Sequence, residues 1–477
     1  MIDTLLSSTS LVKCSLNQIT ILIMMFISAI SFLALQIWSI VASSAGIEWN
    51  GDSKLIPPNP ADDPFYKAPP GIASIKPGTI LRHRQVPTKI TLNNKDGLKL
   101  KGAWQILYRT QNSVGEPSAT VTTVLVPYQA KDENLFVLNM FSDAAYNGCS
   151  PSINLQVGAR NDSVFTQAQT MIAYSALTEG WYVSIADDEG FNAAFSSGPQ
   201  QAYATLDSVR AVLQSEDITG IDPEPRITMY GYSGGGFVGS WVAEIQPDYA
   251  PELKIDGIAI GGLVPNMTAG LALYNKNDRS SFIPATLIGL SKDYKNLSMW
   301  LDENLIPEKA AELRKVESQC FDSNYNMFHS QDIGKYLKRG WDSIFDPVPR
   351  SVFEVTGTSG QRATPKIPLY VSETVQDDVS PIAFTDALLK KWCDEGATIL
   401  YERNDLFNMS HSQESMYSLG GAFTWMQDRQ AGKPASPGCR TTSLTSESLK
   451  GFVTLKMLGK ILSGQLANYG IPVSGWK

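Results

Sequence analysis

The sequence predicts an α/β fold, a doubly wound and mostly parallel sheet with a helical cap inserted between late strands. Three observations predict it. Gly231-Tyr232-Ser233-Gly234-Gly235 joins a β-rich segment to an apolar segment that can form a helix. A serine among small residues at a sharp strand-to-helix turn has its hydroxyl exposed, the pattern of a nucleophile elbow. Apolar strand-like runs alternate with helical stretches around it, as in a parallel sheet wound by helices. Residues 263–362 interrupt that alternation. An insertion between late strands of such a sheet sits above the strand ends, where ligands bind.

Taken in order, residues 53–87 are rich in proline and glycine and read as extended coil over the surface. Residues 98–110 and 119–127 read as two strands around a turn at 112–117. The apolar runs 136–140 and 181–186 fit buried strands, and 200–213 fits an amphipathic helix. The strand 226–230 carries the serine, and 237–245 is the helix after it. Residues 255–260 and 367–371 read as later strands and 398–401 as the last. Within 263–362, residues 307–317 and 333–339 read as helical. No internal repeat or low-complexity tract is evident.

The 477 residues, 43% hydrophobic and 18% charged, suit a large globular chain. The net charge of -8 and the lack of a Lys/Arg run argue against a nucleic-acid partner. Residues 16–42 are almost continuously apolar, with Lys13 before them and Ser43-Ser44-Ala45 after. This suits a secretory signal over 1–45. The stretch is also long enough for a retained membrane anchor, the alternative. The remaining organisation is a core first part over 46–262, the cap over 263–362, and a core second part over 363–477. Cys14 lies within the signal, leaving Cys149, Cys320, Cys393 and Cys439. Their scatter argues against zinc, and spacing alone does not choose their pairing. N-x-S/T sequons begin at Asn161, Asn266, Asn296 and Asn408.

A serine hydroxyl needs an imidazole to take its proton, and the imidazole needs a carboxylate to fix its tautomer. The chain has 3 histidines, His83, His329 and His411. In the elbow fold the partners follow the serine in the order acid, then histidine. His83 precedes the serine, and His329 lies inside the proposed cap. His411 follows the expected last strand after a short loop, where the base belongs. The acid belongs just past the strand 367–371, where Asp377 and Asp378 are adjacent and spacing does not separate them. Asp386 is further along, on an expected helix. The N–H of Gly234 supplies one oxyanion donor, and Ser142, Asp143 or Ala144 the second.

At this point the chain resembles the fungal secretory lipases of the lipase A type, within the α/β-hydrolase superfamily. The resemblance covers nearly everything beyond the signal. It is carried by Asp63-Pro64-Phe65-Tyr66, Pro77-Gly78-Thr79-Ile80-Leu81, Leu107-Tyr108-Arg109-Thr110 and Gly180-Trp181-Tyr182-Val183. Asp187-Asp188-Glu189-Gly190-Phe191 and the elbow with its second trailing glycine complete it. The resemblance implies Ser233 as nucleophile, Asp377 as acid (Pro381 stands four residues on) and His411 as base, with Glu414 in an H-x-x-E pattern. It implies Asp143 as an oxyanion donor, which requires a protonated carboxyl that burial would favour. It also implies disulfides Cys149–Cys320, tying the oxyanion loop to the cap, and Cys393–Cys439, pinning the loop that carries His411. Asp188 departs from the family's usual histidine and Gly236 from its usual alanine, and the cap is the least similar region.

The expectation is a secreted serine ester hydrolase, foremost a triacylglycerol lipase working through an acyl-enzyme. Its substrate is a lipid or other ester, at an oil–water interface, with no cofactor, metal or obligate protein partner. The apolar runs 282–290 and 297–301 suit either an acyl tunnel or ordinary core packing. The alternatives are a carboxylesterase on short-chain or aromatic esters, a serine peptidase, and a non-catalytic hydrolase-like surface protein.

Overall fold

A computed structural model describes residues 56–92, 94, 97–405 and 409–443. The expected signal 1–45, Cys14, the sequon at Asn408 and everything beyond residue 443 lie outside them. Among the described residues no helix is long and apolar enough to cross a membrane.

One sheet of 10 strands runs in the order β1-β2-β3-β5-β4-β6-β7-β8-β9-β10. Its first strands are β1 (Ile80–Gln85), β2 (Gly102–Gln111) and β3 (Pro117–Val126). They pair antiparallel, and β3 pairs antiparallel with β5 (Trp181–Ala186). From there the sheet is parallel through β4 (Lys131–Asn139), β6 (Arg226–Tyr232) and β7 (Gly257–Gly261). It continues through β8 (Leu369–Thr374), β9 (Ile399–Asn404) and β10 (Cys439–Thr442). The chain passes from β4 to β5 on one side, then crosses back to β6 on the other. This reversal opens a crevice beyond the carboxyl ends of β4 and β6.

The central strands are apolar because both faces are covered. β5, β7 and β8 are buried at every residue. Side chains alternate between faces. On β4, Leu135 and Val137 join the core that holds Trp241 and Val238 of the helix Gly234–Tyr249. Phe136, between them, packs on Phe423 of the helix Leu419–Gln430 instead, at 5.9 Å between rings.

Register brings the functional loops to one edge. Asn139 of β4 pairs with Gly231, Tyr232 pairs with Gly261 of β7, and Gly261 pairs with Ser372 of β8. Thr374 pairs with Asn404 at the end of β9. The segments after these strands therefore leave the sheet side by side.

Residues 263–362 form a helical insertion between β7 and β8. It comprises Met267–Tyr274, Phe282–Ser291, Lys295–Asn304, Pro307–Leu313, Phe321–Phe328 and Pro347–Gly357. Its two ends meet, since Asn266 bridges Thr358 and the Ser359 N–H donates to Pro265.

Three sequence expectations need correction. Residues 53–87 are not all coil, because Ile80–Gln85 forms edge strand β1 on β2. Its Arg82, His83 and Arg84 leave no apolar alternation to read, and charges are common on strand edges. The strand 398–401 is not the last, since β10 follows on its far side. Residues 439–442 are short and largely exposed, and so lack the apolar run that marks a strand. The stretch 333–339 holds only a single 3-10 turn, Ile333–Tyr336. The Asp332 side chain accepts from the Gly334 N–H, and Leu337 turns extended to bridge Leu305.

Candidate active site

The turn between β6 and the helix Gly234–Tyr249 is tight enough to exclude side chains. A Cβ on Gly231 would lie 2.1 Å from the carbonyl oxygen of Gly235. One on Gly235 would lie 2.0 Å from that of Asn139. Gly236 is equally confined, its Cβ position being 2.2 Å from the Gly261 oxygen, so alanine here would require the backbones to part. Ser233, at the apex, has φ 57° and ψ −121°. A β-unbranched residue with positive φ is uncommon and marks strain held by its surroundings. The Ser233 N–H donates to Gly261 at 3.0 Å, and the serine is half-buried.

His411 begins the helix His411–Tyr417, which Ser410 and Gln413 close with a reciprocal capping box. Its ring is buried at 5% exposure. Nδ1–H donates to Asp377 Oδ2 at 2.7 Å. Nε2 is buried and has no hydrogen-bond partner among the described residues. The ring stands beside the elbow. Its Cε1, next to Nε2, lies 2.6 Å from where a Cβ on Gly262 would be. Tyr232, the residue before the serine, donates its hydroxyl to the His411 carbonyl at 2.7 Å.

Asp377 is held by more than the ring. Its Oδ1 accepts the N–H groups of Val379 and Ser380, each at 2.8 Å. Burial acts to raise this carboxyl, but the His411 ring and those N–H groups outweigh it, leaving it below the ordinary aspartate value. Asp378 does different work. Its Oδ1 accepts the main-chain N–H of His411 at 2.8 Å, and its Oδ2 pairs with Arg279 of the insertion at 2.5 Å. Asp386 is elsewhere, paired with Arg403. Glu414 accepts from Asn404 at the end of β9, and burial raises its carboxyl to about 8.

The loop after β4 faces the elbow. Asp143 has φ 49° and is 7% exposed. Its Oδ1 is 2.7 Å from where a Cβ on Gly234 would be, so glycine leaves room for this carboxyl over the first helical turn. Burial raises Asp143 to about 7, against the opposing fields of His411 and Arg279. Gln169 clamps Phe141, accepting from its N–H at 3.0 Å and donating to its carbonyl at 2.9 Å. Lys292 of the insertion donates to the Ala145 carbonyl.

Cys149 and Cys320 are disulfide-bonded, with Cα atoms 5.5 Å apart, and join this loop region to the insertion. Cys393 and Cys439 are bonded as well, at 5.9 Å. The second bond does not hold the His411 loop, as the sequence suggested. It fastens β10 to the helix Ile382–Asp394. Thr374 restrains the histidine loop instead, donating to the Met409 carbonyl at 3.1 Å. His83, on edge strand β1, packs near Trp104, and His329 stacks on Tyr325. Neither joins the site. Sequence reasoning gave no role to Arg279 or Lys292, cations of a region with no motif around them.

Comparisons with known proteins agree with this architecture. A family model described as secretory lipase matches residues 155–438. Lipase A of Arthroderma benhamiae is 35% identical, over 87% of this chain and 89% of its own. Lipase 6 of Candida albicans is 33% identical, over 82% and 86%. A trichothecene C-3 esterase of Fusarium sporotrichioides is 34% identical, over 82% and 89%. The X-ray structure of Candida antarctica lipase A in its closed state superposes with a TM-score of 0.75 at 23% identity, over 86% and 95%. That likeness establishes the α/β-hydrolase fold.

Proposed function

Because the chain belongs to the secretory lipase family, we propose that this ester hydrolase works through a Ser233–His411–Asp377 triad on glyceride esters. Ser233 Oγ attacks the ester carbonyl carbon while His411 Nε2 takes its proton. The electron pair displaced to the carbonyl oxygen is met by the Gly234 N–H and a protonated Asp143. The C–O bond to the alcohol then breaks, and His411 returns the proton to the departing oxygen. Water, deprotonated by His411, then attacks the acyl carbon, the C–Oγ bond breaks as His411 returns the proton to Ser233, and the fatty acid leaves.

The observation that carries this reading is His411 itself. Its Nδ1 is committed to Asp377 at 2.7 Å, and its Nε2, beside the serine turn, lacks a hydrogen-bond partner among the described residues. Fluorophosphonate labelling together with hydrolysis tests it. Ser233→Ala is expected to abolish both, and His411→Ala to abolish hydrolysis. Activity surviving either change overturns the assignment.

Residues 263–362 act as the cap in this reading, and an aromatic run through them supports contact with lipid. Tyr274, Phe282, Phe321 and Phe165 follow one another at 5.5 to 5.9 Å between rings. Tyr274 is buried within the field of Asp377 and Asp143, whereas Phe165, Val164 and Leu273 are exposed apolar side chains. A rate on emulsified long-chain glyceride well above that on soluble short-chain ester is expected. The reverse ratio favours the esterase reading, which the esterase-named relative supports. Export accords with the family. Residues 1–45 would be removed as a signal, and N-terminal sequencing that finds them retained favours an anchor.

A further inference from the structure

A second carboxyl stands against the proposed triad acid. Glu373, in β8, is 0% exposed. Its Oε2 accepts the Leu263 N–H at 3.1 Å. Its Oε1 is buried with no hydrogen-bond partner among the described residues, yet the carboxyl is within hydrogen-bonding reach of the Asp377 side chain.

We propose that Glu373 is a positioning residue of the proton relay, carrying a proton on Oε1 that it donates in a hydrogen bond to the Asp377 carboxylate. The proposal rests on the triad reading above.

Two carboxylates in contact at a dry site do not both ionise. Asp377 holds the stronger claim to the charge. It accepts two main-chain N–H groups and faces the His411 ring. Among the described residues Glu373 accepts one N–H and meets no cation. The other titratable groups facing it bring no positive charge: Glu414 on the helix His411–Tyr417, Tyr232 at the end of β6, and Tyr401 on β9. Burial first, and Asp377 second, push the Glu373 carboxyl well above the ordinary glutamate range. A proton on Oε1 turns two facing acceptors into a donor and an acceptor, and so satisfies the atom otherwise orphaned.

The test is the pH profile of kcat/KM, with kcat and KM separated. Glu373→Gln preserves every contact, since its amide oxygen accepts from Leu263 and its amide N–H donates to Asp377. It is expected to fold and to keep the acid limb where wild type has it. Glu373→Ala removes the donor, and a loss of about tenfold in kcat with KM unmoved is expected. Its acid limb should move upward, because Asp377 stripped of a donor holds the imidazolium more tightly. An ionised Glu373 predicts the opposite for glutamine, whose limb would move downward as a negative charge is lost. A downward limb, a Glu373→Gln that does not fold, or a Glu373→Ala with wild-type kcat overturns the proposal. If Glu373→Ala does not fold, the glutamine profile decides. Ser233→Ala run in parallel separates the failures. Inactive Ser233→Ala with contrary Glu373 variants sinks only this inference, whereas active Ser233→Ala sinks the triad and this inference with it.

Discussion

In the proposed oxyanion role of Asp143, its replacement by asparagine is expected to remove an alkaline limb from the rate profile while preserving activity. A carboxyl donates a hydrogen bond to an oxyanion only while protonated. Burial raises the Asp143 carboxyl to about 7, with His411 and Arg279 pulling the other way. The donor is then about half present at pH 7, about one tenth at pH 8 and about one hundredth at pH 9. Loss of one oxyanion donor costs roughly 10²–10³ in kcat. With that floor added, the titration is seen as a fall of roughly 50- to 80-fold in kcat/KM between pH 6 and pH 9. Asparagine donates at every pH, so its profile stays level where wild type declines. Alanine donates at none and starts about 10²–10³ lower throughout. The assay is kcat/KM on a soluble short-chain ester, which keeps the emulsion surface out of the pH dependence. A wild-type profile flat to pH 9, or an alanine variant as active as asparagine, refutes the reasoning and moves the second donor to the main chain of the loop.

Two other buried acids contribute to the pH dependence of stability. Burial raises Asp187 to about 7 and Asp188 to about 8. Their folded values exceed their unfolded ones, so their contribution to folding is most favourable below about pH 4 and is lost as pH rises toward 8. Wild type is expected to melt lower at pH 8 than at pH 5 by calorimetry, and Asp188→Asn to narrow that gap. An unchanged gap counts against it. Asp377 works in the opposite sense and only in acid, since its depressed value withdraws stability as pH falls below the ordinary carboxylate range. Removing the Cys149–Cys320 bond as a double alanine variant is expected to cost about 2–4 kcal/mol in a denaturant melt. It should also lower kcat at temperatures where the variant remains folded, because the bond restrains the Asp143 loop region. Gly235→Ala forces a Cβ to within 2.0 Å of the Asn139 oxygen and is expected to cost about 1–3 kcal/mol in a urea melt.

What could be read from sequence follows from where each constraint is local. The elbow is local: Gly231, Gly235 and Ser233 are confined within five consecutive positions, so steric necessity leaves a written pattern. The buried parallel strands are nearly so, because covering both faces turns β5, β7 and β8 into apolar runs. His411, which pairs with Asp377 and which the proposed triad uses, is reached by elimination and chain order, which the winding of the sheet imposes. The edge strands left weaker traces. β1 carries charges on a half-exposed ribbon, and β10 owes its place to β9 and a disulfide rather than to apolar side chains of its own. Glu373 left none, since a lone acid in a strand looks the same whether it faces water or a neighbouring carboxyl.

Asp377 and Asp378 show where spacing stops being informative. Adjacent residues on one loop reach the same neighbourhood, and only side-chain direction separates their tasks. Asp377 turns to the imidazole of His411, and Asp378 to the main-chain N–H of the same residue. One carboxylate thus orients the ring while the other anchors the start of the helix that carries it. The anchoring carboxylate is also the one that meets Arg279 of the insertion at 2.5 Å. Aspartate at the first turn of a helix is favoured by the dipole, and an arginine clasp adds a charge-assisted bond to the same group. The placement of His411, the proposed base, therefore depends on the insertion as well as on the sheet. A motif search confined to the strand ends sees only the Asp377 half of that support.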